Sequence, residues 1–386
     1  MTKLSSDRAQ VTILRSMQFA WYGMMALISS YFPLYFYHLG FSKLQIGAIY
    51  SVGPVLSIFT NILTGIVSDK TKNIRLVICL LFAGQILALA LLLPQREFGM
   101  MAVLMALFYV FQTPVNSTMD SVTLLAAVKF NRSFPSIRMF GSLGYAVCAV
   151  LFGLFLNRYG SDWTLGLGLA VVAVSLVFSI LLGDYQTSSR KFEFGGLWIV
   201  LKRREILIFF AIIFILSVGH RMYEGFFTVA MRELGASDSV IGLSQLMSAC
   251  SEIPMFFLLA KFGHRYRELP LLAVASFMYT IRIGLLSFIT NPWGIVALQL
   301  MHSVTFGIFY ITGIRYIQTL IPDEYRTSGQ SLYAVVWTGF SGLVAGIMGG
   351  WMYDGYGLAA VFRVGAAFAF AAFVGILAYY FRRNDS

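Results

Sequence analysis

The stretch "SIRMFGSLGYAVCAVLFG", residues 136–153, places one arginine, Arg138, at the front of a long apolar run. A helix that crosses a hydrocarbon layer ~30 Å thick needs about 20 mostly apolar residues. Working outward from this stretch, twelve such runs can be laid along the chain, near 13–38, 44–68, 74–94, 99–128, 137–157, 163–183, 206–231, 239–260, 269–289, 292–320, 327–353 and 359–381. The 386 residues are 58% hydrophobic and only 12% charged, and the mean hydropathy of +0.77 lies well above that of a water-soluble domain. The fold class expected is therefore an all-α membrane protein with twelve transmembrane helices. Arg138 becomes a charge inside the membrane, which costs several kcal/mol unless it is paired or hydrated.

The formal net charge of +11 does not form a single patch, as nucleic-acid binding would require. It is spread over short loops, which is the signature of topology. With the N-terminus placed in the cytoplasm, eighteen Lys and Arg fall in inside loops and tails and four in outside loops. This predicts a multi-pass protein of the cell membrane with both termini cytoplasmic. The first run is too long for a signal-peptide core and lacks a small-residue cleavage site, so no cleaved leader is expected. Cys79, Cys148 and Cys250 sit in apolar runs without paired spacing and read as packing residues. No phosphate-binding loop, catalytic triad or metal-ligand cluster is visible, which argues against an enzyme or an ATP-driven pump. No cofactor is expected; the driving force would be the proton motive force. The expected partners are a small-molecule solute, protons and membrane lipids, with no nucleic acid and the chain acting as a monomer.

The longest polar stretch, "GDYQTSSRKFEFGGLWIVLKRRE" (183–205), divides the runs six and six. The organisation expected is an N-terminal six-helix bundle (1–183), a cytoplasmic linker (184–205) and a C-terminal six-helix bundle (206–386). A weak internal repeat supports it: "GIVSDKTKNIR" (65–75) follows the second run and "LAKFGHRYREL" (259–269) the eighth. Two pseudo-symmetric six-helix halves with a site near the bilayer midplane are a secondary-transporter arrangement.

Depth can be estimated from hairpin symmetry, because residues equidistant from a connector lie at similar depth. Asp120 and Arg138 are centred on residue 129, and Arg282 and His302 on residue 292. At 1.5 Å per residue each would lie about 15 Å into the membrane, near its midplane. Arg221 and Glu252 are centred between 236 and 237 and form a third candidate pair, with Glu224 one turn from Arg221 on its own helix face. Such charges face the bundle interior and mark a substrate or proton route; the alternative is that they fix helix register. Arg15, Arg315 and Arg363 lie nearer helix ends and read as snorkelling or structural residues. Gly141, Gly144 and Gly153 read as helix-packing positions.

At these residues a resemblance emerges. "IRMFGSLGYAVCA" resembles the helix 5 signature of lactose permease and its relatives, in the oligosaccharide:proton symporter branch of the major facilitator superfamily. "SSYFPLYFYHLG", "GIVSDK", "IRIG", "LMHSVTFGIFY" and "GGWMYDGYG" agree with it in order. "IPDEYRTSGQSLY" (321–333) resembles the wider group that includes nucleoside:proton symporters and phenylpropionate transporters. The resemblance implies that Asp120 and Arg138 hold the solute and that Tyr145 stands where the permease has a stacking tryptophan. Trp337 joins them as an aromatic able to line the cavity. It further implies that Arg282 and His302 belong to the coupling network, and that Asp69, Lys70 and Arg75 form a gating loop. The chain departs from the pattern at Thr305, where the permease keeps a proton-carrying glutamate, and at Thr338, near its helix 11 lysine. Thr305 cannot carry a proton, so the coupling role passes to Glu252, with Arg221 and Glu224 as partners. The function expected is proton-coupled uptake, by alternating access, of a small polar solute such as a sugar or nucleoside. The alternatives are import of an aromatic acid, or export of drugs or lipids.

Overall fold

The structure, a computed structural model, describes residues 3–132, 134–184, 203–321, 332–333 and 335–384. All regular structure among these is helical. Helix α1 comprises Lys3–Ala26, a wide π turn Leu27–Tyr31 and Phe32–His38. It is followed by α2 (Lys43–Thr71), α3 (Ile74–Leu92), α4 (Phe98–Lys129), α5 (Phe134–Tyr159) and α6 (Thr164–Leu181). The second set is α7 (Arg204–Glu233), α8 (Asp238–Phe262), α9 (Glu268–Leu286), α10, α11 and α12 (Leu358–Asn384). Helix α10 runs Pro292–Leu298, a 3-10 turn Gln299–Met301, a π turn Ser303–Gly307 and Ile308–Leu320; α11 is a π turn Val335–Phe340 followed by Ser341–Tyr356. Among the described residues eleven of these are long and apolar enough to cross a membrane; α1, less apolar and interrupted by its π turn, is the twelfth helix.

Hydropathy locates the apolar part of a helix and not its overhang, so α1 starts at Lys3 where the apolar run begins only near 13. The linker residues 185–202 and most of "IPDEYRTSGQSLY" lie outside the described residues. The π turn in α1 has a local cause. Pro33, in the first turn of the following segment, cannot donate to the carbonyl four residues back and its ring crowds that carbonyl. The chain widens there instead of breaking.

Two pairs of connections share one geometry. Between α1 and α2, Gly40 adopts φ +84°, and between α7 and α8, Gly235 adopts φ +85°. In both turns the residue after the glycine donates back to the carbonyl five residues earlier, Phe41 to Phe36 and Ala236 to Met231. Both are followed by a serine whose carbonyl takes the first helical bond, Ser42 from Ile46 and Ser237 from Ile241. The α5–α6 and α11–α12 connections likewise turn on left-handed glycines, Gly160 and Gly357, each donating to the carbonyl four residues back. The internal repeat is clearer in these turns than in the basic segments at 65–75 and 259–269.

The chain divides into two compact units. One contains Met1–Phe41, Val55–Arg190 and Ser237–Gly242; the other contains Ser42–Pro54, Lys191–Ala236 and Leu243–Ser386. In the first, α1 lies against α5, α6 and the π-turn residue Tyr31 donates to the Ala149 carbonyl at 2.5 Å. Close backbone approach explains Gly144, since a Cβ there would collide with the backbone of Phe19. In the second unit, α9 packs on α12 and α7 packs on α11 and α12. The start of α2 belongs to it: the Asp354 carboxylate accepts from the backbone N–H groups of Lys43 (3.0 Å) and Leu44 (2.8 Å). A carboxylate there satisfies two of the donors that every helix start leaves open and complements its dipole. Lys43 adds an ion pair to Glu233 at 2.9 Å.

Candidate solute and proton sites

The first unit gathers its polar groups on α1, α4 and α5. Arg138 Nε lies 3.6 Å from Asp120 Oδ1, as hairpin symmetry predicts, because α4 and α5 are joined by the short connector around Phe130–Arg132. The guanidinium does not spend its fork on that carboxylate. One terminal nitrogen donates to the Tyr22 hydroxyl, and the guanidinium carbon stands 4.1 Å from the Tyr22 ring centroid. The Asp120 side chain is 51% exposed, so its carboxylate has oxygen lone pairs available to a solute hydroxyl. Tyr145, expected as the ring beside Arg138, holds its hydroxyl 2.9 Å from Ser29 Oγ on the π turn of α1; Tyr22 is the ring that Arg138 meets. Below this pair α4 carries a polar seam. Asn116 accepts from the Trp21 indole at 2.7 Å, and Ser117 donates to Asn61 at 2.6 Å.

In the second unit Arg282 is the centre. Its side chain is almost wholly enclosed (1% exposed), yet among the described residues no carboxylate pairs with it directly. One terminal nitrogen reaches His302 Nδ1 (2.8 Å) and donates to Thr305 Oγ1 (3.0 Å). The other donates to the Tyr223 hydroxyl (2.9 Å) and to Gln299 Oε1 (2.5 Å). An arginine nitrogen can only donate, so His302 Nδ1 must accept, which places the imidazole proton on Nε2. That nitrogen lies 2.9 Å from Glu252 Oε1 and donates to it. The result is an ordered chain, Arg282 to His302 to Glu252, in which the carboxylate terminates the relay and remains 22% exposed. The broken helix of α10 makes this possible. Wide turns are found where a helix serves a site, and non-helical backbone at membrane depth is tolerated where protein covers it.

The pairing of Arg221 with Glu252 is not formed. Arg221 instead bonds Glu224, one turn along its own helix, at 2.5 Å, the Thr338 hydroxyl at 3.2 Å and the Trp337 carbonyl. A partner three residues along the same helix needs no second helix to be brought into register, and Glu252 is taken by His302. His220 was not anticipated by sequence. It lies 3.7 Å from Glu224, and its ring packs in a triangle with Trp337 (5.3 Å, 24°) and Phe306 (6.1 Å, 25°), which also touch each other at 6.5 Å. Gln299 was missed too, although both are polar residues within apolar runs, adjacent to Arg221 and one turn from His302. Trp337 is itself only 5% exposed and packs on Phe309 and Tyr333, so it shapes the site from behind. In front, α10 sets His302, Phe306 and Tyr310 in a ladder of near-parallel rings, 5.0 and 5.2 Å apart.

Of the three residues expected in a gating loop, Asp69 and Lys70 fall in the last turn of α2 and Arg75 at the start of α3; the side chain of Asp69 lies outside the described residues, Lys70 is exposed and Arg75 donates to the Ile180 carbonyl at the end of α6. Arg315 pairs with Glu268 at 2.8 Å, and Arg363 stands over the Phe288 ring. No group of three metal-ligating side chains occurs among the described residues.

Comparison with known proteins places this arrangement. The family described as "MFS_1 like family" matches residues 11–364. The chain is 25% identical over 332 residues to the uncharacterized transporter YwbF of Bacillus subtilis (strain 168), covering 85% of this chain and 83% of that one. It is 24% identical over 327 residues to the probable 3-phenylpropionic acid transporter of Escherichia coli (strain K12), covering 82% and 84%. It is also 24% identical over 387 residues to the nucleoside permease NupG of the same organism, covering 90% and 88%. The crystal structure of nucleoside transporter NupG superposes with a TM-score of 0.87 at 17% identity, over 96% of this chain and 99% of that one, which establishes the fold. The chain belongs to the MFS_1 like family and is a secondary transporter of the major facilitator type, a multi-pass membrane protein and not an enzyme.

Proposed function

We propose that this transporter takes up a small, uncharged, polar solute with a planar ring, of the nucleoside class, in symport with one proton. The observation that carries this reading is the ring ladder His302–Phe306–Tyr310 set beside a charge-balanced cluster. Planar rings add to such a ladder by offset stacking, which a sugar alone does less well. The charges balance within each unit: Arg138 against Asp120, Arg221 against Glu224, Arg282 against Glu252 through His302. A neutral solute leaves that balance intact; within the first unit, the exposed Asp120 carboxylate and Arg138 offer an acceptor and donors suited to solute hydroxyls. The relatives include a nucleoside permease, which agrees. Glu252 is the proton carrier in this reading, since the Arg282 donation to Nδ1 keeps His302 neutral.

A second reading, import of an aromatic acid, draws on the same ladder and on the likeness to a probable 3-phenylpropionic acid transporter. It would add a further negative charge to clusters in which each arginine is already balanced by a carboxylate. The two six-helix bundles are taken as 1–183 and 206–386 with 184–205 as linker, both termini cytoplasmic, and the working form as the monomer. Counterflow in proteoliposomes with radiolabelled uridine, maltose and 3-phenylpropionate separates the readings. Exchange of uridine alone is the expected result; exchange of 3-phenylpropionate without uridine would overturn it.

A further inference from the structure

Arg15 is a membrane-embedded charge without an explanation in the transport site. Five residues before it on α1, the Gln10 side chain bonds the Leu181 carbonyl and the Gly183 N–H at the end of α6. Five residues of helix rise about 7.5 Å, so the Arg15 backbone lies about that far inside the level where α6 ends. Its Nε is buried without a hydrogen-bond partner, and its guanidinium carbon stands 5.0 Å from the Phe140 ring centroid. No carboxylate reaches it among the described residues.

Arg15 also lines a cavity of about 760 Å³ formed by α1, α5 and α6. Apart from Arg15, Thr12 and Ser16 near one end, the walls are apolar, with Phe140, Leu143, Phe152, Val174 and Phe178 among them. On α5 the lining runs from Phe140 to Phe152, twelve residues or about 18 Å, a little more than one leaflet of a ~30 Å hydrocarbon layer. At 100° per residue, Phe140 and Leu143 point about 140–160° away from Arg138 on α5. The groove therefore opens on the side of the helix opposite the solute cluster. Its rim is accessible: Leu143 is 50% and Val174 49% exposed.

We propose that this groove binds an anionic phospholipid, with one acyl chain along the apolar walls and the phosphate on the Arg15 guanidinium. An arginine just inside the membrane edge extends its long stem toward the headgroups, and a phosphate oxygen pair matches its fork. The chain gains little by leaving bulk lipid, because the lipid tails are as apolar as the groove. Selectivity therefore resides in the charge, and retention in the fit of the walls.

The test is native mass spectrometry of the purified full-length protein titrated with phosphatidylglycerol and with phosphatidylcholine of the same acyl chains. Wild type should prefer the anionic lipid about fivefold, the worth of one basic residue near an anionic surface. Arg15→Gln should bring the two lipids to parity, and Leu143→Trp, which fills the groove, should lower retention of both. Inorganic phosphate in the same experiment should leave lipid retention unchanged. An undiminished anionic preference in Arg15→Gln, undiminished retention in Leu143→Trp, or displacement of the lipid by inorganic phosphate would each overturn the assignment.

Discussion

Replacement of Glu252 by glutamine isolates the proton step. The amide oxygen of Glu252→Gln can still accept from His302 Nε2, at present 2.9 Å from the carboxylate, so the relay from Arg282 stays in place. What is lost is charge: a charge-assisted bond becomes a neutral one, a change of about 1 kcal/mol, and the residue can no longer release a proton. The thermodynamic consequence is larger. With one proton carried per neutral solute, each cycle moves one elementary charge, and a membrane potential of 100 mV contributes about 2.3 kcal/mol. Since 1.36 kcal/mol is a factor of ten, wild type should accumulate solute up to about 50-fold at that potential. Glu252→Gln should equilibrate solute without concentrating it, while keeping counterflow and an affinity within about fivefold of wild type. The assay is uptake into proteoliposomes with an imposed potassium diffusion potential, followed to its plateau. A plateau near 50-fold in Glu252→Gln would refute the assignment and move the proton to Asp120 or Glu224; a wild-type plateau that ignores the proton gradient but follows sodium would refute proton coupling.

Two further outcomes are expected. Arg138→Lys keeps the charge but forfeits the planar fork that bonds Tyr22 and faces Asp120; solute affinity should fall about 10–100-fold with an unchanged melting temperature, and wild-type affinity would remove Arg138 from the site. Gly350→Ala would place a Cβ 2.8 Å from the backbone of Leu44 and Lys43, whereas Gly355→Ala meets nothing within 4 Å; the first should cost about 1–3 kcal/mol and the second should stabilise by about 0.5–1 kcal/mol, read as opposite shifts in melting temperature.

The fold was largely legible because membrane crossing imposes a length and composition that a sequence cannot hide, and hairpin symmetry then converted residue number into depth. That is why the approach of Asp120 to Arg138 and of Arg282 to His302 could be foreseen. What depth does not specify is azimuth. Arg221 and Glu252 satisfy the same symmetry, yet each finds a nearer partner, Glu224 along the helix and His302 on α10. Nor does depth reveal neutral partners: Tyr22, Gln299 and His220 sit at the right level but carry no formal charge to demand a counterpart. Trp337 shows the same limit, since depth alone does not separate an aromatic in the wall behind a site from one on its surface.

The wide turn at Ser303–Gly307 has a consequence for how such a site can arise. An α-helix places residues 100° apart, so a wide turn acts as one residue inserted into a regular helix, rotating everything on one side of it relative to the other. Removing a single residue there, for example Val304, would let α10 relax to an unbroken helix and swing either His302 away from Arg282 or Phe306 and Tyr310 away from His302. Hydropathy, length and membrane insertion would be untouched. Helix phase is thus a variable that a one-codon insertion or deletion can change in one step, and related chains of the same fold can differ in coupling chemistry without differing in any residue that touches the solute.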